Sequence, residues 1–238
     1  MINTTVSISK FRHLGFLRSE IGRLLMASTC FSCGLVLLRI IHTGKPMFLW
    51  LVWNLFLAYV PYLLSSWLTL RYAKAERQPA QQTVSWWLLI LSATWLLFIP
   101  NSFYILTDLF HLIDCRSPRV PAWFDLSLIF SFAWNGLLLG VLSVRQMEKL
   151  ARPMVGAWWG GLLVYLVMAL NALGVYAGRY LRLNSWDILT NPFQLTSDMG
   201  RLIIHPLRSQ QAWGMIACYT ILLSFIYQML KKLSHALT

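Results

Sequence analysis

Charge is what this chain has least of. Of its 238 residues, 12% are Asp, Glu, Lys or Arg, about half of the quarter or so that a soluble domain needs to cover its surface. Acids are scarcer still, with 8 Asp and Glu against 20 Lys and Arg, for a net charge of +12. Three catalytic signatures are missing: H-E-x-x-H, G-x-S-x-G and a glycine-rich phosphate loop. Their absence argues against a zincin protease, an α/β-hydrolase and a P-loop nucleotide enzyme. The cysteines Cys30, Cys33, Cys115 and Cys218 are scattered and form no disulfide framework. Cys30 and Cys33 spell C-x-x-C inside an apolar run, where small apolar side chains serve packing. There is no internal repeat, no low-complexity tract and no soluble domain.

What is present is apolar. AVILMFWYC residues make up 58% of the chain and the mean hydropathy is +0.59. Six runs carry most of it, at residues 24–41, 47–70, 84–106, 124–144, 156–178 and 212–230. Each has about the 20 residues that a ~30 Å hydrocarbon core requires of a helix. In lipid the backbone must bond to itself, so such segments are helices and not open strands. The expected fold is an all-α integral membrane bundle of about six transmembrane helices. Residues 1–23 form a basic N-terminal segment, residues 24–230 a single transmembrane domain, and residues 231–238 a short tail. No A-x-A site closes the first run, so it reads as a span and not as a cleaved signal. The basic residues are spread over the connecting segments and do not gather with aromatics on one patch. That excludes nucleic acid as a partner and leaves the lipid bilayer, with anionic headgroups as the natural counter-charge.

Orientation follows from the basic residues in alternate connections. Twelve fall on the side of the N-terminus: Lys10, Arg12, Arg18 and Arg23, then Arg71, Lys74 and Arg77, then Arg145, Lys149 and Arg152, and finally Lys231 and Lys232. Seven fall on the other: Lys45, Arg116, Arg119, Arg179, Arg182, Arg201 and Arg208. The excess places both termini in the cytoplasm. Trp50, Trp86, Trp87, Trp123, Trp158, Trp159 and Trp213 sit near span ends, as interfacial aromatics do. With this topology Asp108, Asp114, Asp125, Asp187 and Asp198 all lie on the extracytoplasmic side.

Two polar constellations interrupt the apolar pattern there. Asn101, Tyr104, Asp108 and His111 recur at helical spacing after Pro100, which should kink the third span. An ionisable residue in a span is expensive unless it faces the bundle or water, so Asp108 and His111 are candidate catalytic residues, an acid/base pair at i and i+3. Two ligands make no metal site; His205, Asp125 or Asp187 would have to supply a third. The competing explanation is an interfacial helix capped by hydrogen-bonded polar residues. The second constellation contains Arg179, Arg182, Asn184 and Asp187. Two guanidinium groups one turn apart at a helix C-terminus favour the dipole and suit a phosphate or carboxylate. With Asn101 and Tyr104 these four are the candidate binding residues. Beyond them Asn191, Pro192 and Gln194 resemble a capping box opening a short surface helix, its apolar side carrying Phe193, Leu195, Leu202 and Ile203. Asn54, Asn135 and Asn171 lie deep in spans, where amides bond between helices, and Gly160, Gly161, Gly174 and Gly178 let helices approach.

The stretch Phe98-Ile99-Pro100-Asn101-Ser102-Phe103-Tyr104-Ile105-Leu106-Thr107-Asp108-Leu109-Phe110-His111, the later Trp123-Phe124-Asp125 and the run from Gly178 to Asp187 resemble the hallmarks of a bacterial multi-pass membrane-protein family of unknown function, the DUF1361 type. The resemblance covers roughly residues 45 to 230. It implies residence in the bacterial cytoplasmic membrane and no established activity, metal, cofactor or catalytic residue. Three functional classes stay open: an envelope- or lipid-modifying enzyme, a non-catalytic binding or transport component, and motifs that serve the fold alone. The topology is checked by fusing alkaline phosphatase after residue 76 and after residue 117. Activity is expected only from the second fusion, and the reverse pattern would invert the assignment.

Overall fold

The computed structural model describes residues 20–75, 86–114, 120–182, 190, 193, 197, 200, 202 and 209–236. Among the described residues regular structure is entirely helical. The helices are α1 (Glu20–Thr43), α2 (Leu49–Ala75), α3 (Trp86–Tyr104), the short α4 (His111–Asp114), α5 (Ala122–Val155), α6 (Ala157–Tyr180) and α7 (Gln210–Ala236), with a 3₁₀ segment, Ile105–Phe110, joining α3 to α4. Six stretches are long and apolar enough to cross a membrane: Glu20–Thr43, Leu49–Tyr72, Trp86–Phe110, Ala122–Val155, Trp158–Tyr180 and Gln210–Ser234. Apolar side chains also point away from the bundle. Leu24 and Ile41 on α1, Trp53 and Phe56 on α2 and Phe225 and Met229 on α7 are all more than half exposed. In water that surface would drive aggregation; facing acyl chains it is the expected one.

Helix α5 is the axis. Its span is 67% buried inside the bundle, against 17 to 33% for the other five, so it is the helix with least lipid contact. Helices α1, α2, α3 and α6 pack on it directly, and α7 packs mainly on α6. Of the three buried cores among the described residues, one is built on Leu51, Leu55, Ile105, Leu128 and Phe132, the second on Ile99, Phe103, Met168, Leu223 and Tyr227, and a smaller third on Ala172, Leu202, Ala212 and Ile216. Helix α5 also runs on to Val155, well past the end of its apolar stretch. Arg145, Glu148, Lys149 and Arg152 continue the same helix, and hydropathy registers only where the apolar part stops.

Lipid gives helices no hydrophobic reason to associate, so close approach decides the packing. Gly136 and Gly140 on α5 face α3: a Cβ on Gly136 would lie 2.8 Å from the Ser102 carbonyl oxygen, and one on Gly140 would lie 2.8 Å from the Phe103 ring. Gly174 on α6 receives the Pro100 ring, whose Cγ would stand 2.6 Å from an added Cβ. The four-residue spacing of Gly136 and Gly140 is the small-xxx-small signal, which the sequence displays openly. Hydroxyls fill the seam between α2, α3 and α5. Ser143 donates to the Pro61 carbonyl at 3.0 Å and accepts from Trp95 Nε1 at 2.7 Å, and it pairs with Ser65 at 2.9 Å.

Replacing Gly140 by Leu should drive α3 off α5 and cost about 1–3 kcal/mol, as overpacking does. Thermal unfolding in detergent reads this, with Gly161→Leu as the control because no atom stands within 4 Å of a Cβ there. Equal melting of the two variants would refute the contact.

Candidate functional site

The alternation of the helices brings the ends of α1, α3 and α6 together with the starts of α2 and α5. At this end three of the candidate residues meet. Arg179 on α6 places Nη1 2.9 Å from His111 Nε2 and 3.8 Å from Asp108 Oδ1. A guanidinium nitrogen only donates, so the imidazole Nε2 must accept, and the ring proton lies on Nδ1. Asn54 on α2 donates to the other oxygen, Asp108 Oδ2, at 3.0 Å. The Trp50 ring stands edge-on to the His111 ring at 4.8 Å, and the Arg179 guanidinium lies over the Phe110 ring at 5.5 Å. Four segments thus meet around one carboxylate.

The local backbone explains the convergence. Helix α3 runs through Pro100 to Tyr104 and then tightens into the 3₁₀ segment. Three residues per turn stack i over i+3. Asp108 and His111 therefore lie one above the other, where a continued α-helix would have set them about 60° apart. Asn101 Nδ2 donates to the Phe98 carbonyl at 3.0 Å, close to the bond that Pro100 removes. Tyr104 is half-buried against the second core.

Electrostatically the site is incomplete. The Asp108 side chain is 1% exposed and that of Arg179 16%, so water screens neither well. Yet Asp108 Oδ1 has no hydrogen-bond partner among the described residues. A buried carboxylate oxygen with one cation at 3.8 Å and no donor departs from the rule that buried polar groups are hydrogen-bonded.

Asp125 shows what completion looks like. Arg39 on α1 grips it with two bonds, Nε to Oδ1 at 2.7 Å and Nη2 to Oδ2 at 3.1 Å, with both side chains almost wholly buried. The guanidinium also lies 4.6 Å above the Phe48 ring. Phe48 is fully buried and has φ +69°, a conformation that costs a bulky residue about 1–2 kcal/mol. Phe48 abuts Trp50, their ring centroids 6.2 Å apart. Arg39, Phe48, Trp50, His111 and Arg179 thus form one continuous row of cation and ring contacts. The sequence reading overlooked Arg39, although a lone arginine in an apolar run is itself a signal that a partner exists. It also offered Asp125 as a third metal ligand; that carboxylate is engaged by Arg39 instead. Among the described residues no three His, Cys, Asp or Glu side chains gather as a metal site would.

The remaining candidates separate. Arg182 is exposed at the end of α6 with φ +55°. Asn184 and Asp187 lie outside the described residues, as do His205, Asn191, Pro192 and Gln194. In that region Phe193 is exposed and Leu202 is buried against Ala172, Ala212 and Ile216. Of the deep asparagines, Asn135 reaches Ser32 on α1 at 3.0 Å, whereas Asn171 bonds within its own helix to the Val167 carbonyl at 2.8 Å.

Breaking the Arg39 pair leaves a buried charge alone. Arg39→Met should therefore destabilise by about 3–5 kcal/mol, and adding Asp125→Leu should recover most of the loss. Denaturation of the two variants beside the parent tests this, and a double variant as weak as the single one would refute the pairing.

No curated protein and no solved structure shows significant similarity to the chain. Residues 53–226 match the family described as "Protein of unknown function (DUF1361)". The matched segment holds Asn54, Asp108, His111, Asp125 and Arg179, and it excludes α1 with Arg39. Covering well over half of the sequence, the match establishes that this multi-pass membrane protein belongs to the DUF1361 family.

Proposed function

We propose that the chain resides in the bacterial cytoplasmic membrane with both termini in the cytoplasm, and that its extracytoplasmic end receives an anionic or phosphorylated group of a lipid or another envelope component. The observation that carries this is the contrast between the two buried aspartates. Asp125 has a donor on each oxygen, whereas Asp108 has one unmet oxygen beside Arg179. A phosphorylated headgroup bearing a hydroxyl or ammonium would supply both missing elements, an anion for Arg179 and a donor for Asp108 Oδ1. Arg182, exposed one turn on, is a second cation for the same anion. Asn184 and Asp187 follow in the same sequence motif. As the anion draws Arg179 toward itself, His111 Nε2 is released as a base, with Asp108 as its acidic counterpart.

The low exposure of Asp108 and Arg179 also favours a second reading, a clasp that joins α2, the 3₁₀ segment and α6 with no ligand at all. Polar side chains in the α2, α3 and α5 seam, Ser65, Ser143 and Gln146, lend some support to transport, but they bond to one another or to backbone carbonyls, as packing hydroxyls do.

His111→Gln and Asp108→Asn are close to isosteric and separate the first two readings. In cells relying on either variant, lipid profiling should show a headgroup or envelope species altered severalfold, while the melting temperature of the purified protein falls by no more than about 4 °C, the equivalent of ~1 kcal/mol. An unchanged profile with a much larger fall in melting temperature would leave only the clasp.

A further inference from the structure

The opposite end of the bundle holds a second cluster, unrelated to the candidate residues above. Glu148, 6% exposed on α5, receives Lys231 Nζ of α7 at 2.5 Å and Arg152 Nη2 at 2.8 Å on Oε1, while the Tyr227 hydroxyl donates to its Oε2. Arg145 Nη1 donates to the Lys231 carbonyl at 3.3 Å. Lys149 and Lys232 are exposed one residue further along their helices. Among the described residues two cations, Arg152 and Lys231, therefore share one carboxylate, which can neutralise only one of them.

We propose that this end, between the last turns of α5 and α7, is a binding site for the headgroup of an anionic phospholipid in the adjoining leaflet. The arrangement suits that ligand in three respects. The uncompensated charge is positive and lies on side chains anchored by Glu148, so little ordering is left for binding to accomplish. The Arg152 stem is seated on α6, where a Cβ at Gly160 would meet its Cγ at 2.7 Å, and its side chain is 44% exposed. Beside it Trp158 and Trp159 are 71% and 58% exposed, with Met154 and Val155 also open. Exposed tryptophans mark the depth of headgroups, so the cations stand at the level of lipid phosphate. A soluble polyanion would find the same charge but would leave that apolar rim uncovered. Basic clefts between helix ends are known to take multiply charged headgroups.

The test uses the full chain in phosphatidylcholine vesicles containing a minor fraction of cardiolipin, extracted and weighed by native mass spectrometry. The intact protein should retain cardiolipin in preference to phosphatidylcholine. Arg152→Gln with Lys232→Gln should lower that retention about fivefold per cation, the worth of one basic residue at an anionic surface. Arg23→Gln with Arg71→Gln, which removes two exposed cations from the same end but outside the cluster, should leave the preference for cardiolipin clearly higher than the cluster variant does. Equal losses in the two double variants would mean a diffuse surface charge and no site, and an absence of preference in the intact protein would end the proposal outright. Should Arg152→Gln unfold the chain, Lys149→Gln with Lys232→Gln takes its place and is judged by the same outcomes.

Discussion

A carboxylate can be kept out of water inside a membrane only where a cation from another segment comes to meet it. The bundle is organised by that constraint. Asp125 of α5 is met by Arg39 of α1, Glu148 of α5 by Lys231 of α7, and Asp108 of the 3₁₀ segment by Arg179 of α6. Each pair joins segments that lipid alone would give no reason to associate. Helix α5, carrying two of the three acids, is also the helix with most of its surface inside. Its glycines admit α3 closely on one side while its acids fix α1 and α7 at its two ends. Charge and close packing thus divide the work along one helix.

Much of this was legible in the chain. Six apolar runs of span length predicted six helices, because length and hydropathy suffice for that inference. The meeting of Asp108, His111 and Arg179 was legible in outline, since each ionisable group at a span end needs company. The exact form was not. Helical spacing cannot reveal that Ile105–Phe110 tightens to 3₁₀, a change that depends on how α3 leans into α5 and α6 around Pro100. Arg39 was missed for a different reason. Counting basic residues by connecting segment discards one that sits within a span, although its isolation there was the clue. Gly136 and Gly140 were not among the glycines that the sequence analysis assigned to packing, although they stand four residues apart, and only the fold shows that their partners are Ser102, Ile105 and Phe103.

Arg39 and Phe48 also alter how far the candidate site extends. Both precede the segment that matches the family, yet they lead by consecutive contacts to Trp50 and His111. A fully buried phenylalanine at positive φ persists only when its surroundings over-determine it. Here the over-determination comes from the guanidinium above the ring and from the bidentate pair that holds that guanidinium in place. Helix α1 is thereby a buttress for the α1–α2 turn, and through Trp50 it limits how the His111 ring can tilt.

The two buried aspartates near that end then supply a comparison internal to one molecule. Similar depth, similar side chains and an arginine partner each should lead to similar outcomes if only the fold were at stake. Asp125 has a donor on each of its oxygens. Asp108 does not: its arginine is shared with His111, stands 3.8 Å off and leaves Oδ1 without a donor. An unmet buried acceptor costs about 1–3 kcal/mol, and the same protein demonstrates that it can build the satisfied alternative. Asn135 Oδ1, Asn171 Oδ1 and Ser224 Oγ are likewise buried without a partner, but only at Asp108 does the deficit fall where an imidazole and a guanidinium converge, and that coincidence is what the proposed role rests on.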